Sequence, residues 1–409
     1  MNPVVSVVIP TYNHARYLAC AIGSVLTQTF AQWEAIVVDD GSTDNPFAVV
    51  AQLGDPRIRY IYQTNQGLAA ARNTGIGAAK GEYLAFLDAD DEWECEFLQH
   101  TLNTLSADDS LAGVFTRNRF IDRDGQVLLP LGGQVVSRAD LYDRLLEGGF
   151  FPPNTVLVRT AVVRQAGLFD TQLSGVADWD LWLRISQRHS MQAIPEALAR
   201  YRVCPGSMST NPAKMHDDRM RALAKHFGLP ERDPLTWPHE KRRAYGYALR
   251  CSCIGYLQQR QPDEGWCFLA QAVWVWPDLL KQLDTFYELA CGDKPWGYRG
   301  QADLLNIESN GADLLKRLNG LFIQVGIPLR YLRRPAFGNA YLSLGILSDQ
   351  AGRWAAARRY LWQAVRANPR LLTSYTVVWR LFKLYIAWPL IEMGRKVFRR
   401  EQQTAHPVR

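Results

Sequence analysis

The feature that most restricts this chain is an alternation, over its N-terminal half, of short β-branched runs with helix-like stretches. Residues 4–9, 34–38, 57–62 and 83–87 read as strands, and residues 15–27, 47–53 and 68–79 as the helices between them. Strands separated in this way predict right-handed βαβ units and a mainly parallel sheet covered by helices. In such sheets ligands bind beyond the carboxyl ends of the strands. Polar residues gather there: Pro10-Thr11-Tyr12-Asn13 after the first run, Asp39-Asp40-Gly41-Ser42-Thr43-Asp44 after the second, and Asp88-Ala89-Asp90-Asp91 after the fourth. Together they describe one cleft rim.

Carboxylates at such a rim can accept from a base N–H or a ribose hydroxyl, or bind a divalent cation through oxygen. Asp88, Asp90 and Asp91 repel one another unless a cation sits among them, which argues against a purely structural acidic turn. Asp39, Asp40 and Asp44 keep a second reading, as a turn rich in Asx residues after a strand.

Residues 5–13, 38–44, 67–73 and 86–91 stand in the order and spacing of the motifs of family 2 glycosyltransferases, which the first half of the chain resembles. The resemblance implies an α/β GT-A fold, Rossmann-like with a mainly parallel sheet. It also implies a nucleotide-sugar donor, a divalent cation (Mn²⁺ or Mg²⁺) and inversion at the anomeric carbon. By that likeness Pro10 and Tyr12 wall the nucleobase, Asp40 accepts its imide N–H, and Arg72 orients an Asp or touches the phosphates. Asp88 meets the ribose, Asp90 the metal, and Asp91 assists through water. Asp178, in Ala177-Asp178-Trp179-Asp180-Leu181-Trp182-Leu183-Arg184, resembles the general base that takes the acceptor proton. Trp179, Trp182 and Leu183 recur at helical spacing and read as core, and Asp180 as a helix N-terminal charge.

The chain departs from the pattern where Ala177 replaces a usual Glu and Cys204 a frequent His. A thiol is a soft ligand, poor for Mg²⁺ or Mn²⁺, so Cys204 reads as a small buried side chain. Gln350-Ala351-Gly352-Arg353-Trp354 spells the QxxRW signature of processive members. It lies far beyond Asp178 with no spanning segments, so transfer of one sugar is expected. The departures keep alive a rival, a catalytically decayed nucleotide-sugar-binding or scaffold protein. A nucleotidyltransferase is disfavoured because a Gly-rich phosphate loop is absent after the first strand.

Beyond about residue 212 the pattern is helical only, so the expected domains are 1–212 (GT-A) and 213–409 (all-α). Residues 338–370 carry the small and apolar positions of a tetratricopeptide-type hairpin, a surface for a protein partner. The same spacing also suits an ordinary bundle. Seven scattered cysteines without a CxxC pair read as reduced thiols, and no signal peptide is seen, so a cytoplasmic protein is expected. From Arg370 onward eight cations face only Glu392 and Glu401, and this tail holds the whole net charge of +6. A basic end of this kind suits phospholipid headgroups better than nucleic acid. The stripe Val377, Leu381, Leu384, Tyr385 and Trp388 would face an anionic membrane, which would suit a lipid-linked acceptor, or pack on the preceding helices with Arg380 and Lys383 solvated. A glycan or protein acceptor is equally compatible with the sequence.

Overall fold

A computed structural model of the chain describes residues 3–204, 211–294, 301–325 and 327–387. The chain divides near Gly255 into two compact units. The first begins β1 (Val5–Thr11), α1 (Ala15–Leu26), β2 (Trp33–Asp39), α2 (Pro46–Leu53), β3 (Ile58–Tyr62), α3 (Leu68–Ala78) and β4 (Tyr83–Phe86), close to the sequence expectation. It continues through β5 (Glu92–Trp93), α4 (Phe97–Ser106), β6 (Leu111–Ile121), β7 (Val127–Gly132), α5 (Leu141–Leu145) and β8 (Val156–Arg159). It closes with α6 (Thr160–Gln165), α7 (Ala177–Ser186), β9 (Ser190–Arg202), α8 (Pro212–Phe227) and α9 (His239–Gln258).

The strands form one sheet in the order β3-β2-β1-β4-β8-β6-β9-β5, with β7 beside β6. It is parallel across β3-β2-β1-β4, as the βαβ spacing requires, and mixed beyond, because β8 runs antiparallel to both β4 and β6. The crossover from β1 to β4 makes room for α1 and α3 on opposite faces. Val5, Val7 and Ile9 join Leu18, Ile22 and Val25 of α1 in one core cluster. On the other face Val8 meets α3 so closely that a Cβ on Gly75 would lie 2.3 Å from Val8 Cγ1.

At the amino ends of the strands, buried Glu34 on β2 accepts from Ser6 Oγ at 2.7 Å, Lys80 N at 2.8 Å and Arg59 Nη1 at 3.0 Å. Burial alone would raise its pKa, but these donors outweigh it and hold the carboxyl below its ordinary value. One carboxylate thus ties β1, β2, β3 and the turn into β4 together, at the edge opposite the polar strand ends.

The first unit runs past the boundary expected at residue 212, because α8 and α9 are bound into it by polar contacts. Asp218 accepts from the backbone of Ser174 and Gly175, Lys225 bridges Asp170 and Asp180, and Arg243 pairs with Glu147. Their helical periodicity was indistinguishable from that of the helices downstream.

The second unit contains α10 (Pro262–Val275), α11 (Leu283–Cys291), α12 (Ile307–Val325), α13 (Arg333–Gln350), α14 (Trp354–Ala367) and α15 (Tyr375–Phe382). A left-handed Gly352, with φ of +69°, turns α13 into α14, so the QxxRW residues straddle a hairpin turn. Among the described residues no helix is long and apolar enough to cross a membrane. The apolar stripe proposed for a membrane is turned the other way: Val377 and Leu384 are buried with Leu342 and Leu361, and Leu381 packs against them. Arg380 and Lys383 are not a free basic face either, since both reach buried Asp349, at 2.9 and 3.1 Å. Trp388 and the cations Arg395, Lys396, Arg399, Arg400 and Arg409 lie outside the described residues.

The α3–β1 contact gives a paired prediction. Gly75→Ala should lower the unfolding free energy by about 1–3 kcal/mol through overpacking. Gly77→Ala in the same helix, where a Cβ would meet nothing within 4 Å, should leave it unchanged or raise it by about 0.5–1 kcal/mol. Urea titrations of the two variants check both signs.

Candidate active site

The loops after β1 and β2 are built by the polar residues that mark them in the sequence. Asn13, in the left-handed region at φ of +56°, receives Thr43 N on Oδ1 at 2.8 Å, while its own N–H donates to Ser42 Oγ at 3.0 Å. Asp44 accepts from Ala15 N at 2.8 Å, in the first turn of α1, and Asp39 accepts from Ser42 N and from the Tyr60 hydroxyl. Asp40 is almost fully buried and receives Gln63 Nε2 at 2.7 Å, Gln66 N at 2.9 Å and Gly67 N at 2.8 Å. A carboxylate offers about four acceptor positions, so most of Asp40 is spent on pinning the loop that leads into α3. Pro10 is buried within β1 opposite Val38, whereas Tyr12 stands 49% exposed at the rim.

After β4 the three acidic residues part company. Asp88 takes a forked bond from Arg72 Nη2, at 2.7 and 2.9 Å. Arg72, buried on α3, also has its guanidinium 5.3 Å from the Phe169 ring centre. It is therefore no solvated helix cation. Asp90 is partly accessible, with His14 Nδ1 at 3.8 Å; burial and then the Asp88 charge push its carboxyl above the ordinary value. Asp91 is turned into the protein, where Oδ2 receives Asn154 Nδ2 at 2.7 Å and Oδ1 the backbone N–H of Arg202 at 2.8 Å. Burial, then the charges of Asp90 and Asp88, raise it well above the usual carboxylate range. With one bond on each oxygen, Asp91 fastens the end of β9 to this turn.

Asp178 lies in the first turn of α7, and Oδ1 receives the N–H of Trp179 at 2.8 Å. Burial raises its pKa, the Arg72 guanidinium opposes that, and the Asp88 charge adds to it, so the three groups share one electrostatic neighbourhood. The helix itself is held hard. Trp179, Trp182 and Leu183 are core residues as their spacing predicts, and Trp179 Nε1 donates to Leu145 O at 2.7 Å. Asp180 stands in the first turn of α7 and is fully buried there, with Arg184 at 2.6 Å, Lys225 at 3.3 Å and His226 at 3.4 Å. Burial alone would raise it, but these partners bring it down to about 2. The segment entering α7 is clamped by Asp218, whose Oδ2 receives Ser174 N, Ser174 Oγ and Gly175 N within 2.9 Å.

Four contributors escaped the sequence reading. Arg202 is nearly buried, donating from Nε to Asp90 O at 2.7 Å and from Nη2 to Glu92 at 2.5 Å. Asn154 and His14 are the other partners of the acidic turn. Tyr201, next to Arg202 on β9, has its hydroxyl pKa raised by burial and by the charges of Asp91, Asp90, Asp88 and Asp178, so it stays protonated beside four carboxylates. Tyr201 and Arg202 precede Cys204 by two or three positions and carry no motif of their own in the sequence. Cys204 is only half-buried, with Sγ 3.7 Å from the Tyr17 hydroxyl, and burial and the Asp90 charge raise its thiol. Residues 205–209 lie outside the described residues. No three His, Cys, Asp or Glu side chains among the described residues converge as a ready-made metal cage. A polar cavity of about 530 Å³ opens between Gln66, Gly67, Ser174, Lys214, Asp218 and Arg221.

Comparison with known proteins adds an independent line. The model of "Glycosyl transferase family 2" matches residues 6–160. An uncharacterized glycosyltransferase of Rickettsia typhi is 32% identical over 55% of this chain and 72% of its own length. A putative teichuronic acid biosynthesis glycosyltransferase, TuaG of Bacillus subtilis, is 33% identical over 52% of this chain and 84% of its own. The chondroitin synthase of Escherichia coli is 32% identical over 45% of this chain, a match spanning only 27% of that longer protein. Among solved structures, S. aureus TarS 1-349 in complex with UDP-GlcNAc superposes with a TM-score of 0.50 at 17% identity, covering 85% of this chain and 92% of that one; the likeness is one of fold.

The Asp218 clamp is open to direct test. Asp218→Ala should cost about 1–2 kcal/mol, since it leaves three partly buried donors of the 174–175 turn without their shared acceptor. Amide hydrogen exchange at Ser174 and Gly175 should accelerate more than that of the β1 and β2 core.

Proposed function

The chain belongs to glycosyl transferase family 2 and is a glycosyltransferase, and on that footing we propose that it moves one sugar, with inversion, from a nucleoside-diphosphate sugar to a hydroxyl acceptor. The observation that supports this reading is the hydrogen-bonded pair of Arg72 from α3 and Asp88 at the β4 end, whose charges both act on Asp178 in the first turn of α7. Exposed Tyr12 offers its ring to the nucleobase, and Asp40 retains one acceptor position for a base N–H while holding the 63–67 loop. Pro10, buried in β1, supports Tyr12 through the backbone. Asp88, fixed by Arg72, is suited to a ribose hydroxyl, and Arg72 lies close enough to lend positive charge to the departing diphosphate.

Asp90 is the carboxylate fitted to hold Mn²⁺ or Mg²⁺: it is partly accessible, its charge is raised in energy by Asp88, and among the described residues the side chain facing it is His14 at 3.8 Å. Such ions are commonly held by one or two carboxylates together with substrate phosphates, so a complete protein cage is not required. When bound, the ion neutralises charge on the leaving diphosphate. Asp178 accepts the proton of the acceptor hydroxyl as its oxygen attacks the anomeric carbon; the bond to the diphosphate oxygen breaks on the opposite face and the diphosphate takes the electron pair. The raised pKa makes Asp178 a stronger base than an exposed Asp, and Tyr201, kept protonated, can donate to a carboxylate or a sugar oxygen. The polar cavity beside the 174–175 turn is the space we assign to the acceptor, a polyhydroxylated glycan carried free, on lipid or on protein.

Asp178→Asn should reduce transfer by about 10²–10⁴-fold while leaving donor affinity, read by calorimetry, near that of the parent chain. Transfer should rise with pH through an acid limb lying above the ordinary Asp value, because only the deprotonated base works and burial raises its pKa. In thermal melts, Mn²⁺ should stabilise the protein at neutral pH and less at acid pH, where protonated Asp90 has no charge to relieve. Asp90→Ala should abolish that gain, and chelation should lower donor turnover.

A further inference from the structure

The segment from Gln350 to Ala387 contains no Asp or Glu, yet carries Arg353, Arg358, Arg359, Arg366, Arg370, Arg380 and Lys383. Several of these are consumed inside the unit. Arg380 and Lys383 hold buried Asp349, Arg359 reaches Glu308, and Arg358 donates to Leu384 O at 2.8 Å. Arg366 and Arg370 are exposed and make no ion pair among the described residues.

With Val377 and Leu384 turned inward, α15 presents a second apolar face outward. Tyr375, Val378, Trp379 and Phe382 stand at i, i+3, i+4 and i+7 on one side of the helix, and are 80%, 44%, 51% and 43% exposed. Leu372, in the turn just before the helix, is 50% exposed. The Trp379 and Phe382 rings stack on each other with centroids 5.6 Å apart. Aromatic rings displayed in this density on a surface helix are costly in water unless something covers them. Their neighbourhood decides what. A carboxylate-free, cation-rich stretch attracts an anionic surface, and Trp, Tyr and Phe are the side chains favoured at the boundary between headgroups and acyl chains.

We propose that the outward face of α15 is a membrane-docking surface that lays Tyr375, Val378, Trp379 and Phe382 into the interface of an anionic lipid bilayer, with Arg366 and Arg370 reaching the phosphates. The ion pairs of Asp349 with Arg380 and Lys383 set this orientation, since they fix which side of α15 faces the core. The site is separate from the residues assigned to catalysis, so donor hydrolysis reports on folding independently of docking.

The full chain should be tested by flotation with vesicles of pure phosphatidylcholine and with vesicles containing roughly 30% phosphatidylglycerol. Binding should require the anionic lipid and weaken with salt. Trp379→Ala with Phe382→Ala should reduce it by about tenfold or more, and Arg366→Glu with Arg370→Glu should remove the preference for anionic lipid. Both double variants should keep the parent's melting temperature and donor hydrolysis, as the substituted side chains are exposed. Failure of the parent chain to float with anionic vesicles, or flotation of the Trp379/Phe382 variant at the parent's level, would overturn the proposal. So would a concentration-dependent dimer in light scattering that the same variant abolishes, since the face would then belong to a second copy.

Discussion

The acidic turn after β4 sets the terms for the rest of the first unit. Two carboxylates 4 Å apart at an effective dielectric constant near 20 repel by about 4 kcal/mol, a large share of a domain's net stability of about 5–15 kcal/mol. Asp88, Asp90 and Asp91 sit within four consecutive positions, partly or fully out of water. Each is answered from a different part of the chain. Arg72 comes from α3, Asn154 from the turn before β8, Arg202 from the end of β9, and His14 from the start of α1. The crowding therefore acts as an assembly constraint: the turn is tolerable only where those elements converge, and that convergence forms the cleft.

The same logic operates around α7. Its candidate base does not stand on a loop free to wander. Asp218 of α8 holds the segment before the helix, and Asp180, two residues after Asp178, is locked by Arg184, Lys225 and His226. Helix α8 thus reaches the site without contributing one of the marked residues. This explains why the first compact unit cannot stop at the end of β9: the helices beyond it are part of what aims Asp178.

The parallel half of the sheet was legible because the β-branched runs and the intervening helices carry distinct periods, and because strand ends in such sheets must expose polar side chains. Strands β5 to β8 were not, since they lack the helix-strand alternation that marks the βαβ half, and β5 has only two residues in which to show a period. Of the marked residues, Arg72 and Asp88 are joined by hydrogen bonds, and the charges of both act on Asp178. Asp91 faces inward and Asp40 is mostly engaged in holding a loop, a division no spacing reveals, because a carboxylate that pins a backbone and one that meets a ligand look alike in sequence. The two readings of the α15 stripe, membrane contact or packing on the preceding helices, stayed open for a related reason. A short helix apolar on two sides offers two candidate faces, and hydropathy cannot choose between them. A single buried partner, Asp349, makes the choice by anchoring Arg380 and Lys383.

The division of Arg72 between two carboxylates bears most directly on chemistry. A guanidinium bonded to Asp178 would hold it ionised but would also lower its affinity for a proton, which is the property a base needs. Here the hydrogen bonds go to Asp88, at 2.7 and 2.9 Å, and Asp178 feels only the through-space charge. Asp88 keeps a fixed orientation, while burial holds the Asp178 pKa above its ordinary value against the opposing charge of Arg72. One buried cation therefore orients one carboxylate and acts on a second through space, and the close approach of α3 to β1 at Gly75 sets where α3 carries Arg72 toward the end of β4.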